Sequence, residues 1–86
     1  MSEVRLLVVL NKESAKELLN RNIGNRELDL VKVNQYREAM DLGVFDIEES
    51  KSDLELKEGI IRNGQHRLYG FLESRLQEMR FWMKVG

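Results

Sequence analysis

Hydrophobic and polar positions change their period several times along this chain, and each change marks an element. Residues 4 to 10 form a short apolar run with Val8-Val9 at its centre, which predicts a strand buried on both faces. Ser14-Ala15-Lys16-Glu17 has capping-box spacing and predicts a helix from there through Leu18 and Leu19 towards Arg21, stopped by Gly24. Asp29 is placed to cap a second helix, in which Leu30, Val33, Tyr36 and Met40 recur at spacings of three and four and form a core stripe. Leu42-Gly43 closes that helix with a residue free to turn left-handed.

The second half is patterned differently. Residues 46 to 59 are rich in Asp, Glu, Ser and Lys around isolated Ile47, Leu54 and Leu56, and read as an exposed connection holding a short edge strand. Ile60-Ile61 predicts a strand, and Leu68, Phe71 and Leu72 give the next helix a buried stripe. Phe81, Met83 and Val85 alternate with Trp82 and Lys84, the two-residue period of a strand that puts one aromatic ring in the core and the other on a surface. With no proline and no repeat, residues 1 to 86 read as one α+β domain, a small mixed sheet of short strands with three flanking helices.

Composition narrows the chemistry. There is no cysteine, so disulfides and thiolate metal sites are unavailable, and one histidine gives no basis for a zinc site. The apolar run at residues 6 to 10 is too short to cross a bilayer and nothing resembles a signal peptide, so a cytoplasmic protein without membrane contact is expected. A net charge of −1 argues against affinity driven by bulk attraction to nucleic acid. The charge is unevenly placed, however. Residues 1 to 56 carry 8 basic and 12 acidic side chains, whereas residues 57 to 86 carry 6 basic and 3 acidic.

The positive end contains Ile60-Ile61-Arg62-Asn63-Gly64-Gln65-His66-Arg67, a strand entering an Asn-Gly turn that opens a helix. Such a junction leaves backbone N–H groups pointing one way beside the positive end of the helix dipole, which suits phosphate or carboxylate. Arg67, and His66 when protonated, oppose that dipole unless an anion lies between them. Each residue also has a plainer use. Asn63-Gly64 is a common tight turn, His66 an ordinary helix residue, Arg67 a surface partner for Glu73, Asn25-Arg26 a capping loop, and the acidic run from Asp46 to Glu55 a solvated face.

Asn63-Gly64-Gln65-His66-Arg67 resembles the DGQHR signature of the ParB/sulfiredoxin-like superfamily, in which this turn holds nucleotide phosphates. The resemblance extends over residues 12 to 86, through Lys12-Glu13-Ser14-Ala15, Asn22, Asn25-Arg26, Ala39-Met40 before Gly43-Val44-Phe45, and the closing Arg80-Phe81-Trp82-Met83-Lys84-Val85-Gly86, in the order of phage and bacterial ParB-like proteins. It implies that Gly64 admits the backbone to a phosphate, that Arg67 grips phosphate oxygens, that His66 assists, and that Asn25 and Arg26 support the same pocket, with Gln65 variable.

The departures are informative. Gln65 stands where sulfiredoxins have their nucleophilic cysteine, which excludes that reaction, and Asn63 replaces the usual aspartate of the signature. The sequence given stops at Gly86, before the segment with which CTP-switching partition proteins help to hold the nucleotide's metal. These differences favour binding over catalysis. The expectation is a nucleotide- or phosphate-binding domain whose site comprises Asn25, Arg26, Asn63, Gly64, Gln65, His66 and Arg67. ATP or CTP with Mg²⁺, or a nucleic-acid phosphate, is its ligand. The alternatives are a stand-alone, phage-encoded module that inhibits a host protein, and a DNA-binding domain with nuclease or NTPase activity, for which no paired carboxylates stand out.

Overall fold

Strand β1 (Val4–Asn11) passes into helix α1 (Lys12–Asn20) without a loop, because Asn11 both ends the strand and caps the helix. Its side chain accepts from the Ser14 N–H at 2.8 Å while the Ser14 hydroxyl accepts from the Asn11 N–H at 2.9 Å. The cap therefore lies three residues before the Ser14 expected from sequence. Asn caps as well as Ser, and an extended backbone at Asn11 lets the helix begin as soon as the strand stops. In the computed structural model, residues 3–21, 27–48 and 53–86 are described. The expected Gly24 stop lies outside them.

Asp29 caps α2 (Leu30–Asp41) as predicted, its carboxylate accepting from the Val31 and Lys32 N–H groups, and Gly43 follows at φ +74°. The hairpin β2 (Leu54–Lys57) and β3 (Ile60–Asn63) turns through Glu58 and Gly59, then Gly64 leads into α3 (Gln65–Glu73), and β4 (Glu78–Val85) closes the chain. The four strands form one mixed sheet in the order β1-β4-β2-β3. β4 pairs antiparallel with β1 from Val4↔Val85 to Asn11↔Glu78 and parallel with β2 through Leu54↔Met83. The α+β class and the three helices agree with the sequence reading.

The core gathers on one face of the sheet, where Leu10, Leu54, Ile61, Phe81 and Met83 meet Ala15, Leu19, Met40, Leu68 and Phe71 from the helices. Edge-to-face rings run Tyr36, Phe45, Phe81, Phe71 at centroid distances of 5.9, 6.1 and 6.2 Å and tie α2 and α3 to β4. The helices α2 and α3 cross at Gly70, where an added Cβ would lie 2.8 Å from Tyr36 Cβ and 3.0 Å from the Arg37 nitrogen. Lys12 locks α1 to the far end of α3. Its Nζ donates to the carbonyls of Phe71, Leu72 and Ser74, supplying partners and positive charge where the α3 carbonyls end. Burial lowers the Lys12 pKa, and Asp41 partly offsets this.

Three expectations about burial are corrected. β1 is not buried on both faces, since Val4, Leu6, Leu7 and Val9 are 44–58% exposed. It is the outer strand of a sheet that carries its helices on one face, and α1 returns only over the Leu10 end. Leu30 is not core but 71% exposed, lying one turn before the stretch of α2 that crosses α3. β2 is an interior strand, and β3 is the edge beyond it. Its polar neighbours disguised it: Asp53 is buried because Arg5 clasps both its oxygens, at 2.7 and 3.1 Å, so the strand enters the sheet beside a neutralised acid.

Phe81 and Trp82 divide as the alternation requires. Phe81 is fully buried, whereas Trp82 is half-buried on the opposite face with the Arg5 guanidinium 4.3 Å from its ring centroid. No helix among the described residues is long and apolar enough to cross a membrane.

Candidate functional site

Gly64 stands between β3 and α3 at φ +103°, a conformation open to glycine, and provides no side-chain cap. The helix makes its first closing bond from the Leu68 N–H to the Gly64 carbonyl at 3.0 Å. A Cβ on Gly64 would strike the Leu54 side chain, so the glycine is required by the core as well as by the turn. This adds a reason that the sequence reading did not contain: the space beside Gly64 that a side chain would fill is already taken by Leu54.

Arg67 projects from the first turn of α3 and is only 6% exposed. Nη1 donates to the Asp53 carbonyl at 3.0 Å, and the guanidinium lies 6.0 Å from the Tyr36 ring centroid. It forms no ion pair among the described residues, and in particular none with Glu73, the surface partner considered from sequence. Burial lowers its pKa, against a smaller opposing pull from Tyr36, Asp53 and Glu55. A guanidinium remains charged under these conditions, so the shift records what it costs to hold that charge out of water.

His66 belongs to the same turn. Its Nε2 accepts the Asp29 backbone N–H at 2.9 Å. A nitrogen that accepts carries no proton, so the ring is neutral in this arrangement, and the doubly protonated His66 considered from sequence does not fit it. The bond also fastens the segment entering α2 against the start of α3. Sequence gave no sign of this contact, which spans 37 positions.

Between these two helix starts and β3 lies an open pocket of about 330 Å³. Asn63, Gly64, Gln65, His66 and Arg67 all line it. Asn25 and Arg26 lie outside the described residues. The remaining wall comes from Glu27, Asp29, Lys32, Tyr36, Ile61 and Arg62, none of which was assigned to the site from sequence. Asp29, Lys32 and Tyr36 follow one another at helical spacing, so a shared face of α2 was readable. Its destination was not, because only the packing of α2 on α3 aims that face at Gly64.

Among the described residues the walls contain three cations, Lys32, Arg62 and Arg67, and two carboxylates, Glu27 and Asp29. The Asp29 carboxylate is engaged in capping α2. Among the described residues no cluster of three or more acidic, histidine or cysteine side chains is placed to hold a metal ion. The arrangement is suited to gripping an oxyanion: a planar fork of donors held stiffly by its surroundings, a helix N-terminus beside it, and two further cations at the rim. No protein-family model, curated protein or solved structure matches the chain.

Proposed function

We propose that this domain binds a phosphate-bearing ligand, a nucleotide by the ParB-like resemblance, in the pocket at the start of α3. The observation that supports this reading is Arg67, a guanidinium almost wholly withdrawn from water that lines the pocket and, among the described residues, donates to one neutral carbonyl. Burying a cation that no ion pair neutralises costs several kcal/mol in ordinary proteins, and the attraction of Asp53 and Glu55 offsets only part of that cost here. A bound phosphate returns that energy through paired, charge-assisted hydrogen bonds. Gly64, Gln65 and the α3 dipole add to the attraction, and Lys32 and Arg62 draw an anion towards the mouth. A thermal-shift panel of nucleotides, each with and without Mg²⁺, tests the reading. At least one phosphate-bearing ligand raises the unfolding temperature of the native chain. A flat response to every nucleotide and to inorganic phosphate refutes it.

A second reading, a protein-interaction module, is favoured by β1. Among the described residues this outer strand pairs on one side only, with β4, and carries exposed Val4, Leu6, Leu7 and Val9. The one charge inside the strand, Arg5, is already committed to Asp53. Long apolar edges are where another chain adds a strand. Val9→Lys places a charge there without touching the core, and is expected to abolish association in sedimentation or light scattering while leaving ligand binding intact. A chain that is monomeric at all concentrations and captures no partner removes this reading.

A further inference from the structure

The pocket's acidic side says what kind of phosphate it takes. Resting on the reading just proposed, we infer that the ligand is a phosphomonoester bearing neighbouring hydroxyls, a sugar phosphate or nucleoside monophosphate, and that Glu27 is the residue that selects it. Glu27 is exposed at the pocket wall, two residues before the Asp29 N–H that His66 Nε2 holds at 2.9 Å. That bond ties residues 27 to 29 to the same turn from which Arg67 projects. The proposed anion site and a carboxylate thereby line one small space.

A carboxylate in an anion site repels phosphate. It is useful there only to a ligand that also donates, and vicinal hydroxyls donate to carboxylates in well-known sugar-binding geometry. Asp29 is committed to the α2 cap through Oδ1, whereas Glu27 is the lining carboxylate that the cap does not use. Charge points the same way. Three cations against two carboxylates leave the described walls with one net positive charge, a match for a phosphomonoester of about −1.5 to −2. A triphosphate brings more negative charge to the same two acids. Volume agrees, since about 330 Å³ lies at the small end of the roughly 300–1,000 Å³ usual for ligand pockets.

The test is calorimetric binding of inorganic phosphate, ribose 5-phosphate, CMP and CTP with Mg²⁺ to the native chain and to Glu27→Ala. In the native chain ribose 5-phosphate and CMP bind about tenfold more tightly than inorganic phosphate, the yield of one or two good hydrogen bonds. CTP binds no better than CMP. In Glu27→Ala the two classes move in opposite directions: ribose 5-phosphate weakens about tenfold while inorganic phosphate is unchanged or tighter. If both tighten, Glu27 only repels and the inference is overturned. CTP binding more tightly than CMP to the native chain overturns it as well. Should no ligand bind, inorganic phosphate included, it is the phosphate-binding reading itself that fails. Glu27 is exposed and outside every helix and strand, so its truncation leaves the fold in place to report.

Discussion

Replacing Arg67 by Met separates what this side chain does for the fold from what it does for a ligand. Met keeps most of the length and the apolar stem but removes the fork and the charge. The fold loses the bond from Nη1 to the Asp53 carbonyl, in a residue that is 2% exposed, leaving an acceptor with no donor where water does not reach. That omission costs about 1–3 kcal/mol. Against it, the variant no longer holds a cation out of water, a relief whose direction is given by the lowered Arg67 pKa. The balance expected is a destabilisation of about 1 kcal/mol, or roughly 4–8 °C in a domain of this size. An unchanged unfolding temperature, the natural expectation for an arginine at a solvated helix start, is therefore not expected here. The ligand effect has a separate signature. Phosphate at ten times its Kd stabilises the native chain by about 1.4 kcal/mol, or roughly 6–11 °C, and does nothing for a variant that cannot bind it. Thermal unfolding followed by circular dichroism, in phosphate and in chloride of equal ionic strength, reads both effects. If Arg67→Met gains as much from phosphate as the native chain, the guanidinium is a structural strut and the argument from its burial is wrong.

Two further outcomes follow from the packing and the charges. Gly70→Ala adds a methyl 2.8 Å from Tyr36 Cβ and 3.1 Å from the Val33 carbonyl, so overpacking of about 1–3 kcal/mol exceeds the roughly 1 kcal/mol that Ala gains as a helix former, and the urea midpoint falls. The Arg5 hydrogen bonds hold the Asp53 pKa below its usual 3.8 despite burial, so its ionised form contributes stability that is complete above about pH 3.8 and lost as the pH falls through the lowered value. Asp53→Asn flattens that stretch of an acid-unfolding curve, and an unaltered curve would show that the pair carries no linkage.

How much of this was legible in sequence depends on whether local or distant contacts decide each element. The Asp29 cap, the Gly43 turn, the alternation of β4 and the glycine-led start of α3 are written within a few residues, and each is found where the pattern put it. β1 and β2 were exchanged in character. An apolar run signals the centre of a sheet and an acidic flank signals its rim, yet β1 lies outermost and β2 inside. Arg5 resolves the paradox from 48 positions away, since it neutralises Asp53 and lets the acidic flank be buried. The site divides likewise. Its contiguous half, residues 63 to 67, was readable as a turn with a cation, while its α2 half depends on the His66–Asp29 bond and on the close crossing at Gly70.

These long-range links also hold the lining of the pocket in place. Leu54 and Asp53 are consecutive, and they fix the two essential parts of the turn. The Leu54 side chain sets the position of Gly64, and the Asp53 carbonyl sets the rotamer of Arg67. The Asp53 carboxylate is in turn anchored by Arg5 on β1, so the guanidinium at the pocket is positioned by a relay that reaches the far edge of the sheet. A long, flexible side chain loses much rotameric freedom on binding a ligand, and one already immobilised by the fold has less left to lose. The cost of burying Arg67 and the order imposed by Asp53 are two sides of one arrangement. On the proposed reading, the fold accepts a less stable ground state so that the donors stand ready before an anion arrives.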